Sequence, residues 1–393
     1  MGLILNDLKN ACELEHVCDY VNNRTTSSMN YISTENMLPN KGGISESTII
    51  PPGTTTEYKI GDILISNIRP YFQKIWCADR CGGCSADVLC IRAKENTDSK
   101  YLYYLLSQQA FFDYVMSGAK GCKMPRGDKK QIMQWPVNIP AIDVQKKVVA
   151  ILSSLDNKIR LNRRINDNLE EQAKALFKSW FVDFEPFKGG KFVDSELGLI
   201  PKGWSTGTIY SYIDVIYGAP YKSALFNDKK QGLPLIRIRD LKTYTPQYYT
   251  KEVLPNTEYV ECGDIIAGMD AEFIPHIWRG EKGVLNQRLC KFVPKYDYVS
   301  KYYIYSLVYP KLAFVQSYKV GTTVSHLGKA DIDRFKVIVP PEDIIMQYSK
   351  IVNSYFAEIV KVSNENQILS SLRDTLLPKL MSGELSVEEV PLD

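Results

Sequence analysis

Two stretches of the chain place apolar residues at alternating steps of four and three. In the first, the series runs Val148, Leu152, Leu155, Ile159, Asn162, Asn166, Leu169, Ala173, Leu176 and Trp180. In the second it runs Tyr348, Val352, Tyr355, Ile359, Val362, Asn366, Leu369, Arg373, Leu376 and Leu380. This spacing is a heptad seam and predicts one long coiled-coil helix in each stretch. Pro140 and Pro340 mark the entries. About 40 residues at 1.5 Å each gives a helix about 60 Å long. Lys158, Arg160, Arg163, Arg164, Glu170 and Glu171 fall on the outer, solvated face. A solitary helix of this kind leaves its seam in water, whereas two in one chain can pair. An antiparallel pair is expected to bring Asn166 and Asn366 together near its middle, fixing register at some cost in stability.

The remaining segments have a different rhythm. Short runs rich in Val, Ile, Tyr and Thr are punctuated by Gly, Pro and Asn. Asp62–Ser66, Asp87–Ile91, Leu235–Ile238, Asp264–Ala267 and Lys336–Val339 read as strands of mixed α/β domains. Tyr101–Ser117 and Lys301–Tyr318 read as helices within them.

The chain repeats itself. At an offset of 200 residues without a gap, Gly121/Gly321, Lys129/Lys329, Ile132/Ile332, Val137/Val337 and Pro140/Pro340 coincide. The same offset continues through Asp143/Asp343, Ile151/Ile351, Ser154/Ser354, Ile159/Ile359, Asn166/Asn366, Leu169/Leu369 and Leu176/Leu376. Upstream, Gly61-Asp62-Ile63 answers Gly263-Asp264-Ile265 at an offset of 202. The chain is a tandem duplication of a unit about 200 residues long. Four segments follow: a globular domain over 1–140, a spacer helix over 141–186, a second globular domain over 187–340, and a distal helix with its tail over 341–393. The predicted fold class is α+β: two mixed α/β domains separated by two long antiparallel coiled-coil helices, as a pseudo-two-fold tandem repeat.

Composition narrows the class. Of 393 residues, 45% are hydrophobic and 24% charged, which excludes disorder for the bulk of the chain. No apolar run approaches the roughly 18 residues of a membrane helix, so no membrane partner is expected. The opening segment meets Asp7 and Lys9 too early for a secretory signal, and the reading is cytoplasmic. Nine cysteines are an odd number in a large chain and imply no disulfide framework. Cys77, Cys81, Cys84 and Cys90 cluster, but not as the two separated short pairs of a structural zinc site. They read as small core and turn residues, and no metal is assigned. A net charge of +3 permits nucleic acid without arguing for it.

Two similar globular domains joined by a rod suit a target that is extended and two-part. Duplex DNA read at two half-sites is such a target. Four segments, in order along the repeat, carry a resemblance to a known family. These are Tyr31-Ile32-Ser33-Thr34-Glu35-Asn36-Met37, Gly61-Asp62-Ile63-Leu64-Ile65-Ser66-Asn67-Ile68-Arg69-Pro70, Leu197-Gly198-Leu199-Ile200-Pro201-Lys202-Gly203-Trp204, and Leu372-Arg373-Asp374-Thr375-Leu376-Leu377-Pro378-Lys379-Leu380-Met381-Ser382-Gly383-Glu384-Leu385. Over nearly its whole length the chain resembles the specificity subunit of a type I restriction–modification system. The resemblance implies two target-recognition domains that read double-stranded DNA and do no chemistry themselves. It implies two adenine-methyltransferase subunits and ATP-dependent restriction subunits as partners. Those partners are expected to use S-adenosylmethionine, ATP and Mg, with no cofactor in this chain.

A search for chemistry finds no catalytic residues. There is no GxxxxGK[ST] phosphate loop, no Asn-Pro-Pro-Tyr or Asp-Pro-Pro-Tyr, and no Gly-x-Ser-x-Gly elbow. The three histidines, His16, His276 and His326, lack metal-ligand spacing and read as surface or turn residues. Two rivals stay open: a coiled-coil scaffold whose globular ends bind proteins, and a nuclease or methyltransferase with an unrecognised site.

Phosphate contacts need Lys, Arg or small polar groups, and base reading favours Arg, Lys, Asn, Gln and His. The basic, glycine-punctuated loop with Lys120, Lys123, Arg126 and Lys129 is the first candidate in the first domain. Its counterpart in the second holds Thr322, Thr323, His326 and Lys329. Arg69, Tyr71 and Lys74 follow the central strand, and the equivalent region holds Asp270, Glu272, His276 and Arg279. A third set is Lys222 with Arg237 and Arg239, which alternate in an expected strand and so face one side. For the rod, the expected seam is Leu152, Leu155, Ile159, Asn166, Leu169 and Leu176 with Val352, Ile359, Asn366, Leu369 and Leu376.

Overall fold

The computed structural model describes residues 11–26, 30–47, 53–121, 123–319 and 326–387. It divides into two compact units: Met1–Asn157 with Ser371–Asp393, and Lys158–Ser370. Each unit therefore holds one globular part together with portions of both long helices.

In the first unit an antiparallel sheet has the order Cys18–Tyr20, Val88–Ala93, Ile63–Ser66, Ile75–Cys77. Its central strands carry an unbroken apolar run on both faces, residues 63–65 and 88–91, because both faces are covered. Ile63, Ile65, Leu89 and Ile91 point into a core with Leu102, Leu105, Phe111, Phe112 and Val115. Leu64, Val88 and Cys90 point the other way, into a core with Tyr58, Trp76 and Cys84. Cys84 and Cys90 are thus core residues, while Cys81 is exposed.

The expected helix Tyr101–Ser117 is two helices, Ser99–Leu106 and Gln109–Ser117. The Ser107 hydroxyl donates back to the Tyr103 carbonyl at 2.6 Å, and Gln108 is extended at φ −71°, ψ 148°. That residue ends one helix and starts the next. The equivalent segment of the second unit is a single helix, Lys301–Lys319.

The second unit repeats the sheet, in the order Ile213–Tyr217, Leu289–Pro294, Ile265–Gly268, Pro275–Ile277. The alternation repeats as well. Ile265, Ala267, Cys290 and Phe292 enter one core; Ile266, Trp278 and Leu289 enter the other. His276, expected at the surface or in a turn, lies half-buried within the edge strand, paired with Ile266. An edge position tolerates Pro275 beside it because one side of the strand needs no ladder bond.

The long helices are Ile142–Phe181, of 40 residues, and Glu342–Ser382, of 41. In the first unit, Val148 and Leu152 pack with Leu377 and Leu380 against Tyr101 and Tyr104. Asp156 accepts from Arg373 Nη1 at 2.9 Å and from the Tyr104 hydroxyl at 2.7 Å. In the second unit Ile159, Asn162 and Asn166 are buried, as are Val352, Ile359 and Val362. Leu155, Leu169, Leu176, Leu369 and Leu376 are half-buried. Within each unit the partner's number falls as the helix number rises, so the helices are antiparallel there.

Asn166 and Asn366 do not form the expected pair. Asn166 Nδ2 donates to Ser363 Oγ at 3.0 Å, and Asn366 Oδ1 accepts from Asn162 Nδ2 at 3.0 Å. In an antiparallel pair, equivalent residues of a repeat meet only at one crossing point. The register here puts that point about two residues earlier than Asn166, so each asparagine faces a neighbour of its equivalent. Among the described residues, no helix is long and apolar enough to cross a membrane.

Candidate nucleic-acid interface

The loops singled out by charge are built on one backbone frame, present in both units. In the first unit the central strand ends at Ser66. Asn67 N–H then donates to the Asp87 carbonyl at 2.9 Å, and Gly127 N–H donates to the Asn67 carbonyl at 3.4 Å. Ile68 bridges Arg126 antiparallel. Lys120 and Arg126 exchange backbone bonds of 2.9 and 3.0 Å, which pairs the two sides of a hairpin at these residues. Arg69 turns left-handed at φ 51°, and its N–H donates to the Pro125 carbonyl at 2.8 Å. Gly127 packs closely there: a Cβ would lie 2.7 Å from Val115 Cγ1 and 2.9 Å from Asn67 Oδ1, so a side chain would have to displace them.

The second unit makes the same bonds. Met269 N–H donates to the Arg288 carbonyl at 2.8 Å, and Leu327 N–H to the Met269 carbonyl at 2.7 Å. Asp270 bridges His326 antiparallel, and Ala271 is left-handed at φ 60°. A non-glycine residue held at positive φ is uncommon. Its recurrence at the same place ties the loop to the strand end in both copies.

The side chains on this frame differ. In the first unit Arg126 pairs with Asp87 at 3.1 Å. Lys120 pairs with Asp128 at 3.0 Å. Asp128 also caps the helix Lys129–Met133 through the N–H groups of Lys130 and Gln131. The Lys120 ammonium and these N–H groups hold the Asp128 carboxyl below its ordinary value. Lys123 is exposed. In the second unit the two oxygens of Asp270 have different partners. His326 Nδ1 lies 2.7 Å from Oδ1, and Arg288 Nη1 lies 3.0 Å from Oδ2.

The frame thus brings together Arg69, Lys120, Lys123 and Arg126 in one unit, and His326 with Asp270 and Arg288 in the other. Thr322 and Thr323 lie outside the described residues. Other candidates are placed elsewhere. Lys74 Nζ donates to the Thr34 carbonyl at 2.6 Å, and burial pulls its pKa down. Lys129 lies over the Tyr20 ring at 6.0 Å. Lys329 is exposed beside Asp333 at 3.6 Å. His276 is half-buried, and burial lowers its pKa. Arg279 pairs with Glu170 of the long helix, lies over Tyr244, and receives Gln367 Nε2 on its carbonyl at 3.0 Å. Its role is to fasten the globular part to both long helices.

Arg237 and Arg239 do not share a strand face. The strand is Leu233–Ile236, and a 3₁₀ turn follows over Ile238–Asp240. The Asp240 carboxylate accepts from Arg237 N–H at 2.9 Å and stops the strand there. Arg237 then lies over Tyr248 at 5.3 Å, Arg239 is exposed, and Lys222 is exposed at the start of another turn. Sequence reasoning passed over Asp87 and Arg288. Their only mark in the sequence is a charge before an apolar run, a common pattern at strand starts.

Comparison with known proteins converges on one family. A family profile described as "Type I restriction modification DNA specificity domain" matches residues 10–171 and 201–370. The type I restriction enzyme MjaIX specificity subunit of Methanocaldococcus jannaschii is 28% identical over 76% of this chain and 71% of its own. The HindI specificity subunit of Haemophilus influenzae is 24% identical over 90% of this chain and 94% of its own. Among solved structures, the S subunit of a type I restriction–modification system from M. genitalium is similar, with a TM-score of 0.46 and 16% identity. That match covers 97% of this chain and 98% of that one.

Proposed function

We propose that this chain, which belongs to the type I restriction–modification DNA specificity family, reads duplex DNA as two separate half-sites, one with each globular part. The observation that carries this reading is the repeated frame. The same backbone bonds recur in both units, with a guanidinium and ammonium groups in one and an Asp–Arg–His cluster in the other. Two copies of one scaffold carrying different polar edges are what an asymmetric two-part site requires. Phosphate contacts from Lys120 and Lys123 set position, and the groups fixed on the frame discriminate bases.

The chain is a specificity subunit, not an enzyme in its own right. In the proposed complex, two adenine-methyltransferase subunits use S-adenosylmethionine, and restriction subunits use ATP and Mg. The two long helices, one following each globular part along the chain, set the unread gap between half-sites.

Binding of duplex DNA by the assembled complex, measured against salt, tests this reading. Counterion release predicts a log–log slope of about −0.9 for each phosphate neutralised. A protein scaffold predicts no salt-dependent binding of DNA, and that outcome would overturn the proposal.

A further inference from the structure

Three positions of the frame can be compared copy by copy. In the first unit they hold Ile68, Asp87 and Arg126; in the second, Asp270, Arg288 and His326. The carboxylate has changed places. In the first unit it precedes the inner strand Val88–Ala93 and faces one guanidinium. In the second it follows the central strand, and an arginine stands where the first copy has aspartate.

This exchange fixes Arg288 in an unusual way for a surface arginine. Its carbonyl accepts from Met269 N–H at 2.8 Å, and its N–H donates to Asn286 Oδ1 at 3.2 Å. One terminal nitrogen is held by Asp270 Oδ2, while the side chain remains 57% exposed. His326 occupies the other oxygen of Asp270, which keeps that carboxylate from turning away. An ion pair this exposed contributes little to folding. Its effect is to orient a long side chain before any ligand arrives, which lowers the entropy lost on binding. The guanidinium keeps free donors in a rigid fork that lysine does not possess.

We infer that Arg288, oriented by Asp270, is a specificity-determining residue of the second half-site and donates to the edge of a guanine base. A guanidinium matches the two acceptors O6 and N7 of guanine in the major groove. Asp270 acts through Arg288 and is a positioning residue. Arg126, held by Asp87, is the corresponding group of the first copy, displaced to another position of the same frame. One backbone thereby presents its guanidinium at two different places. This inference rests on the DNA-reading proposal.

The test is a map of methylated adenine in cells carrying the full chain with its methyltransferase partner, repeated for Arg288→Lys and Asp270→Asn. Arg288→Lys is expected to lower the preference for guanine at one position of one half-site by roughly 5- to 150-fold. The other half-site stays unchanged and reports that the variant is folded. Asp270→Asn is expected to weaken the same position, less strongly, and to add nothing in the Arg288→Lys background. Unchanged base preference at every position of the Arg288→Lys motif would overturn the inference. So would an equal loss at all sequences, which marks a phosphate contact. If Asp270→Asn fails to fold, Arg288→Lys alone decides. A wild-type map without a two-part motif would instead overturn the DNA-reading proposal itself.

Discussion

Asn166 donates to Ser363 across the two long helices at 3.0 Å, with both residues buried. The Asn166 Oδ1 and Asn162 Oδ1 atoms are also buried and have no hydrogen-bond partner. A buried unsatisfied acceptor costs about 1–3 kcal/mol. Replacing both members of the pair by apolar residues, Asn166→Leu with Ser363→Ala, removes the orphaned Oδ1 of Asn166 together with the Asn166–Ser363 hydrogen bond. The double variant is expected to be more stable by about 1 kcal/mol, read as a higher urea midpoint at unchanged slope. A lower midpoint would show that the polar layer is a net stabiliser.

The ion pair further along the rod predicts the opposite sign. Asp156 is held by Arg373 at 2.9 Å and by the Tyr104 hydroxyl at 2.7 Å. Arg373→Ala leaves a half-buried carboxylate with one donor in place of two. We expect a loss of about 1–3 kcal/mol, since removing one member of a buried pair costs more than the pair contributes. Asp156→Asn, which keeps the tyrosine bond, is expected to cost less. Equal losses would place the effect in packing and not in charge.

The two long helices were legible in the sequence because a 3.5-residue period is a property of the chain alone. Which seam residues face each other was not, because that depends on the register of two elements separated by nearly 200 residues. The repeat was equally plain, and it located the Lys120–Lys129 loop on its frame. What the frame carries was harder to see. Arg237 and Arg239 alternate as strand residues do, but the Asp240 carboxylate caps a turn between them. His276 read as a surface or turn residue, yet it lies half-buried in an edge strand that also accommodates Pro275. Arg279 looked free to meet DNA, yet its partner Glu170 lies on a helix more than 100 residues away in the chain. These are tertiary pairings, which local pattern does not encode.

Asp240 supplies a pH dependence. Burial pushes its carboxyl from 3.8 up to about 6, against the pull of the Arg237 and Gln247 N–H groups. The folded state therefore holds this proton more tightly than the unfolded chain does. Its contribution to stability is fully present below pH 3.8 and is lost as pH rises through about 6. Asp240→Asn keeps an acceptor for Arg237 N–H and does not titrate. Relative to this variant, the wild type is expected to lose about 2 kcal/mol between pH 4 and 6.5. Parallel stability curves over that interval would contradict the assignment.

The repeated frame predicts that damage to one loop is confined to one half-site. Lys123→Ala with Arg126→Ala should change binding at the half-site read by the first copy and leave the second intact. His326→Ala should do the reverse. Variant complexes assayed on duplexes altered in a single half-site distinguish these cases. A loss shared equally by both half-sites would mean that the loops do not act separately.

The most direct test of the account is the map of methylated adenine in cells expressing the wild-type chain with its methyltransferase partner. The account predicts one asymmetric motif of two specified blocks flanking an unspecified gap of constant length. A continuous motif would contradict the assignment of one half-site to each copy of the frame. Absence of methylation, with the partner shown to be bound and active, would contradict DNA reading altogether.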